Sequence, residues 1–441
     1  MSQPTGRQAA LTAPAVAESP PVPAVDAPAA VAGRSPDASP IRRPAPSTPH
    51  QLQRLSAGVV ALGVVVALVG LVTFGALAAA LGRAQSDTAQ LVRVQSIATN
   101  LLSADASATN AFLVGGLEPP AQRASYDRAL SETGALIAQA ARAQPADAAA
   151  LAVLNQQVLD YDGAVEQARA NNRQGFPVGA QYLRLASGQL RSQALPVLDE
   201  LVAANAGRAD QRMGVAWGYL FPVVCLLALA GLVVAQVALA RRFHRRINPG
   251  LLVASTVLLV ALVASLVGMA VLRNHVETTR TGSLALVNAA AGARIGANNA
   301  KANESLTLIA RGSGQSFEQA WTRAGQQVEA QLDALDDARL SAAWDGYAQV
   351  HRAIRSLDDG GRWDQAVQRA TGSGPTSANV RFAELDSGLT EALHTNSGAT
   401  TAALGRERPA LVVAALLSLL AGLAASLLGR RGVAARLREY R

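Results

Sequence analysis

Four stretches of the chain carry no charged residue over a length sufficient to cross a bilayer, near 57–81, 214–240, 251–272 and 409–429. A helix needs about 20 apolar residues to traverse roughly 30 Å of hydrocarbon. It also satisfies its own backbone hydrogen bonds there, which an isolated strand cannot do. The pattern therefore predicts four membrane-spanning helices. The first run superficially resembles a signal peptide, with Ala76-Leu77-Ala78 in the place of a cleavage site. Its apolar stretch is too long for that and follows a long polar tail, so it reads as an uncleaved anchor.

Between the spans the pattern changes to Ala, Leu, Gln and Arg, interrupted at a few points. In 82–213 the interruptions are Gly115 to Pro120, Gln144-Pro145, and Asn171 to Pro177. Glycine and proline at these places stop one helix and start the next. The predicted helices lie near 83–114, 120–143, 148–171 and 180–213, the outer two running directly into spans. At 1.5 Å per residue the first would rise about 50 Å. An antiparallel four-helix bundle standing on the membrane accounts for the pattern. The segment 273–408 repeats it: Phe112 aligns with Leu308, Gly116 with Gly312, Tyr126 with Trp321, Tyr161 with Tyr347 and Leu198 with Leu385. The aromatic positions read as core.

The expected fold class is thus an all-α membrane protein, with four transmembrane helices and two extracytoplasmic four-helix bundles arising from an internal duplication. The expected order is a disordered cytoplasmic tail (1–54), a span (55–82), a bundle (83–213), a span (214–240) and an Arg-rich turn (241–250). A third span (251–272), second bundle (273–408), fourth span (409–429) and basic tail (430–441) follow.

Charge decides the orientation. Arg42, Arg43 and Arg54 precede the first span, Arg241, Arg242, Arg245 and Arg246 crowd the turn between the middle spans, and Arg430, Arg431, Arg436, Arg438 and Arg441 follow the last. Four crossings put all three clusters on one side, which the positive-inside rule makes the cytoplasm, with both termini. The eight arginines of the turn and the C-terminal segment from Arg241 to Arg438 are candidate contacts for anionic lipid or an acidic partner. Trp217, Tyr219 and Phe221 fall where an outer aromatic belt is expected. No Asp, Glu, Lys or Arg lies inside a span, which argues against an ion or substrate pathway. Ser418, Gly422 and Ser426 form a small-residue stripe suited to close helix packing.

Composition narrows the function. Half of the 441 residues are hydrophobic and only 16% are charged; the net charge of +8 rests almost wholly on arginine, with Lys301 the single lysine. Nothing in this points to nucleic acid. The lone Cys225 lies in an apolar run, and the five histidines have no helical-spacing partners, so neither a disulfide framework nor a metal site is expected. A phosphate-binding loop, a nucleophile elbow and an HExxH motif are all missing from the sequence, and no enzyme activity or cofactor is expected.

A span, a helix ending in Phe112-Leu113-Val114-Gly115-Gly116-Leu117-Glu118-Pro119, a helix carrying Arg123-Ala124-Ser125-Tyr126-Asp127-Arg128-Ala129-Leu130, two more helices and a span resemble the four-helix sensor domains of chemoreceptors and histidine kinases. The doubled plan, with a tail of about fifty residues and no output domain, resembles the GlnX-type membrane proteins of actinobacteria in length and layout. That resemblance implies a link between an extracytoplasmic solute-binding lipoprotein of GlnH type and a cytoplasmic serine/threonine kinase, protein kinase G. It implies sensing of aspartate or glutamate. A homodimer is compatible with the layout. The competing reading is a structural scaffold that organises envelope partners.

Loops at the membrane-distal tips are the first candidates for partner binding. They place Glu118 and Arg173 on the first bundle and Arg311 and Arg362 on the second. A small ligand between helices would instead involve Asp105, Asn110, Asn299 and Glu304, whose helix faces the sequence does not assign.

Overall fold

A computed structural model describes residues 48–114, 118–243 and 248–438. The expected tail up to residue 47, the glycine turn at 115–117, and Arg245, Arg246 and Arg441 lie outside them, as do the side chains of Arg242, Arg436 and Arg438.

Among the described residues there are helices and turns and no strands. Helix α1 (Thr48–Val114) runs without interruption from the first span into the first bundle. At 1.5 Å per residue its 67 residues reach about 100 Å. It begins inside the segment read as a disordered tail, because Pro49 fits a first helical turn and the apolar run behind it propagates the helix. The bundle is completed by α2 (Pro120–Ala143), α3 (Ala148–Arg173), and α4 (Val178–Gln189) continued by α5 (Leu195–Arg212). A π-helical turn at Leu190–Ala194 joins the last two. After a short break α6 (Leu220–Phe243) forms the second apolar helix.

The second half follows the same plan with one addition. Helix α7 (Pro249–Thr279) passes through a π-helical turn at Arg280–Leu284 into α8 (Ala285–Ile309). Helices α9 (Gln315–Leu335) and α10 (Ala338–Asp359) complete two sides of the second bundle, and the short α11 (Trp363–Thr371) crosses its tip. Helix α12 (Ala378–Arg438) returns through the bundle and the fourth apolar stretch as a single piece, Pro409 notwithstanding.

Four of these continuous helices contain segments long and apolar enough to cross a membrane, as in a multi-pass membrane protein. Their outer surfaces carry large hydrophobics such as Leu68, Val72, Leu227, Val234, Val260 and Leu420, all more than half exposed. Such a girdle is at home in lipid.

Helices α1 and α12 are antiparallel partners along most of their length. Gly63 and Ala67 face Gly422, Gly70 faces Ser418, Gln85 donates to the Thr401 carbonyl at 3.4 Å, and Asn379 donates to Asn110 at 3.1 Å. The register stays constant across these contacts, a paired length of about 70 Å. Within the apolar part this pairing is built on glycine. A Cβ on Gly422 would lie 2.5 Å from both the Ala67 nitrogen and the Gly63 oxygen. Lipid tails are as apolar as leucine, so spans associate through close packing rather than water exclusion, and small residues provide it. Ser426 adds a hydrogen bond to the Val60 carbonyl at 3.1 Å.

The aromatic belt is smaller than expected. Trp217 is 79% exposed, but Phe221 is buried and packs edge-on against Phe74 at 5.2 Å. Both rings face inward because α6 packs against α1 there.

Buried hydrophobic cores hold the bundles. Tyr126, Leu151, Leu154, Tyr161, Val165 and Leu198 fill the first, and Val328, Trp344, Tyr347, Ile354 and Leu385 the second. Each fully buried side chain of this size contributes about 1.5–3 kcal/mol where the unfolded alternative is water.

Candidate functional site

The two bundles lie side by side, α1 against α8 and α12. Polar side chains concentrate along that seam. Asp105 on α1 is fully buried and forms a 2.9 Å ion pair with Arg191. Tyr161 donates to the same carboxylate at 3.3 Å, and Ser187 makes a shorter bond to it. Arg191 sits in the π-helical turn of the first bundle, where the widened helix turns its guanidinium across the seam to Asn299 Oδ1 at 3.1 Å. One cation thus ties the core of the first bundle to the second. Such π-bulges are frequent at functional sites.

The second bundle contains a longer chain of charges. Lys301 Nζ lies 2.7 Å from Glu304 Oε1, and the other Glu304 oxygen is 3.1 Å from His351 Nδ1. His351 Nε2 lies 3.2 Å from Glu318, which Arg355 also approaches at 3.4 Å. Trp321 covers the imidazole face at 3.8 Å, nearly parallel. Both ring nitrogens meet carboxylates, and both can donate only in the imidazolium form. Burial pushes the His351 pKa down, but its hydrogen bonds to Glu304 and Glu318 outweigh burial and raise it. Burial likewise acts to raise Glu304, yet the Lys301 charge and the His351 hydrogen bond bring it below the ordinary carboxylate value.

A cleft opens between the bundles beside these networks. Its inner part has a volume of about 260 Å³ and is lined by Ser107 and Asn110 of α1, Gln122 of α2, Asn298 and Lys301 of α8, and Asn379 of α12, among others. Asn110 Oδ1 accepts from Gln122 at 2.9 Å and from Asn379 at 3.1 Å, bridging the two bundles. A wider outer part, toward Pro119, Thr371 and Glu384, shares Gln122 and Asn379 with it.

A second cavity of about 280 Å³ lies at the tip of the first bundle, between Phe112, Glu118, Arg123, Arg169 and Arg173. Glu118 is engaged by both ends of the Arg169 guanidinium at 3.0 Å, and that guanidinium lies 4.0 Å over the Tyr126 ring. Arg123 pairs with Asp127 and Glu166. Arg173 is exposed at the rim and makes no ion pair among the described residues.

The structure therefore gathers the sequence-derived candidates into distinct places. Glu118 and Arg173 share the tip of the first bundle. Arg311 and Arg362 mark the other tip, where Arg311 takes a left-handed backbone and stacks 3.9 Å from the Trp363 ring. Asp105, Asn110, Asn299 and Glu304 all turn inward, Asn299 only partly buried. Arg241, Arg430 and Arg431 are exposed at the opposite end of the molecule. Sequence reasoning did not single out Lys301, His351, Arg191, Asn298 or Gln122 as site residues. The i, i+3 spacing of Lys301 and Glu304 was the available signal. It also missed Asp147, buried at the base of the first bundle, which accepts from Gln90 at 3.2 Å and Asn205 at 2.8 Å and pairs with Arg208.

Comparison with known families bears on the first bundle. Residues 80–214 match the Actinobacterial sensor domain. The matched segment begins where the apolar part of α1 ends and stops just before α6. It contains the Asp105–Arg191 pair, the tip cavity and one wall of the cleft. No curated protein and no solved structure matches the chain. The sensor-domain match and the four apolar helices fit an actinobacterial membrane sensor.

Proposed function

We propose that this protein is a non-enzymatic transmembrane signal relay of the GlnX type. The arginine-rich ends face the cytoplasm and the two bundles face outward. The bundles register amino-acid availability (aspartate or glutamate) through a docked solute-binding lipoprotein, and the cytoplasmic ends pass the state to a serine/threonine kinase. The observation that carries this reading is the continuity of α1, which reaches from the sensor domain through the apolar layer with no loop between. A shift at the bundle seam moves the membrane segments directly, and small displacements of packed helices suffice for a switch. Exposed Arg173 and Arg362 at the two tips suit an acidic face of the lipoprotein. Exposed Arg241, Arg430 and Arg431 suit an acidic surface of the kinase or anionic lipid.

The test is a pull-down from detergent-solubilised membranes with and without aspartate and glutamate. Recovery of a solute-binding lipoprotein and a serine/threonine kinase, in amounts that change with the amino acid, supports the relay. Recovery of neither under any condition removes it. Linkage adds a second readout: the kinase must alter lipoprotein affinity by the same factor that the lipoprotein alters kinase affinity. Deleting residues 1–54 should abolish kinase recruitment if the tail is its dock.

A further inference from the structure

Helices α7 and α12 touch at both ends of the apolar layer and part between. At the arginine-rich end a Cβ on Gly250 would lie 2.6 Å from the Gly432 Cα, and Asn248 donates to the Gly432 carbonyl at 2.9 Å. At the bundle end His275 Nδ1 lies 2.8 Å from Glu407 Oε1. The two contacts are equally far apart along both helices, about 38 Å, so the register is the same at either end. It sets Ala261 level with Ala421, Ala264 with Ser418 and Gly268 with Ala414. Small residues of this kind bring α1 and α12 into backbone contact, yet a Cβ added to Gly268 would meet no heavy atom within 4 Å. A cavity of about 700 Å³ occupies the gap. The buried rings of Phe74 and Phe221 close it on the inside, and Val260, Val413 and Leu417, all more than half exposed, mark its open rim.

The chemistry of this groove selects hydrocarbon. Its hydroxyls are those of Thr256, Ser265 and Ser418, which donate to the Leu252, Leu262 and Ala415 carbonyls of their own helices at 3.1, 2.8 and 2.8 Å. Each hydroxyl proton is thus spent, and Glu407 at the bundle-end mouth is the one charged residue of the lining. Water needs two or more polar partners to settle in a cavity, and the deep part of the groove offers none. An unfilled gap forfeits dispersion contacts on every wall, while acyl chains lie directly at its open side. A transmembrane helix is about 10 Å across. Because α7 and α12 close the groove at both ends, such a helix would ride over the rim without entering. The mouth also supplies charge: Arg406, one turn from Ala410, is exposed and makes no ion pair among the described residues.

We infer that the groove between α7 and α12 is a binding site for one phospholipid of the leaflet on the bundle side. One acyl chain fills the groove, and the phosphate stays at the mouth with Arg406. On α12 the lining runs from Glu407 to Ala421, about 21 Å. A single leaflet contributes roughly 15 Å of hydrocarbon, so the groove takes a chain over its whole depth. The seated chain holds α7 and α12 apart at the level of Gly268 and Ala414. Helix α7 continues through its π-helical turn into α8, so occupancy is transmitted to the seam between the bundles. The binding itself does not rest on the relay reading or on the partners proposed for it.

The experiment is native mass spectrometry of the purified full-length protein, released from micelles that contain palmitoyl-oleoyl phosphatidylglycerol as the probe. The expected result is one phospholipid per chain that stays bound after loosely held lipid is stripped. Gly268→Leu has room for its new atoms and fills the groove, so it should lower that occupancy about tenfold or more. Its unfolding in SDS should be unchanged or later than wild type, because glycine weakens a helix interior, and this separates a filled groove from a misfolded chain. Leu420→Phe, on the outer surface away from the groove, should retain the phospholipid as wild type does. Arg406→Gln should weaken retention about fivefold, and full retention by it would overturn the placement of the phosphate. The site itself is overturned if no phospholipid is retained, or if Gly268→Leu retains as much as wild type. A dimer in place of the bound lipid, dissociated by Gly268→Leu, would give the groove to a second copy of the chain instead. Partner recovery in the pull-down enters none of these readouts, so the relay and the lipid site stand or fall separately.

Discussion

Substituting Gly422 by alanine tests the idea that α1 and α12 are held by backbone contact. The new methyl carbon would stand 2.5 Å from the Ala67 nitrogen and the Gly63 oxygen, and 2.7 Å from the Ala67 Cα. Uncrowded carbon contacts lie at about 3.5 Å, so the helices must part by about 1 Å at this level. All three obstructing atoms are main chain, so no rotamer relieves the clash. Overpacking of this kind costs about 1–3 kcal/mol. The flanking contacts of Gly63 with Ser426 and of Gly70 with Ser418 open with it, which favours the upper half of that range. Gly75→Ala is the control, on the partner helix α1 but with no heavy atom within 4 Å of the added carbon. It should be neutral or stabilising by up to about 1 kcal/mol, since glycine weakens a helix interior. Reversible unfolding in mixed micelles of increasing SDS fraction, followed by tryptophan fluorescence, reads both variants. If Gly422→Ala unfolds at the same SDS fraction as Gly75→Ala, close backbone packing does not hold this pair.

Further outcomes follow from the buried charges. His351 has a raised pKa, so its contribution to stability is complete below about pH 6.5 and is lost as pH climbs through the raised value. Glu304 has a lowered pKa, so its contribution is present above about pH 4.5 and is lost as pH falls through the lowered value. Thermal melts should therefore be most favourable between these limits, and His351→Gln should flatten the alkaline side; wild-type melts that do not change from pH 5 to 8 would contradict the His351 assignment. Asp105→Ala strands the partly buried Arg191 and should cost about 3–5 kcal/mol in the same SDS assay, whereas a loss under 1 kcal/mol would show that the pair is not structural. Asp147→Ala removes the common acceptor of Gln90, Asn205 and Arg208, and faster amide exchange at the ends of α2 and α5 is expected.

The apolar layer was readable because span length alone identifies it, and the helix ends at 114 and 143 followed from glycine and proline, while the third helix runs two residues past its expected end at 171. The small-residue face of α12 was readable too, yet its partner on α1 was not. Gly63, Ala67 and Gly70 sit among valines and leucines, and nothing local says which helix will meet them. Phe221 misled because an aromatic at a span end suits either the interface or a neighbouring helix. The inward faces of Asp105, Asn110 and Glu304 were hidden for a different reason. Helix α8 is buried at every position from 300 to 308, since elements pack around it on several sides, and so it shows no polar stripe. Amphipathic periodicity marks a face only where one side of a helix meets water.

Pairing α1 with α12 has a consequence for how the chain is made. Ser426 bonds to a carbonyl 366 residues earlier, so the glycine face of the first span has no mate until the last span has been synthesised. At roughly 5–20 residues per second that interval is about 20–70 s. During it Gly63, Ala67 and Gly70 face lipid or the insertion machinery, and any other membrane helix with a small-residue face can dock there. Nascent chains stalled before α12 should be the form of this protein most prone to mispairing and proteolysis, and the arrival of α12 closes that face.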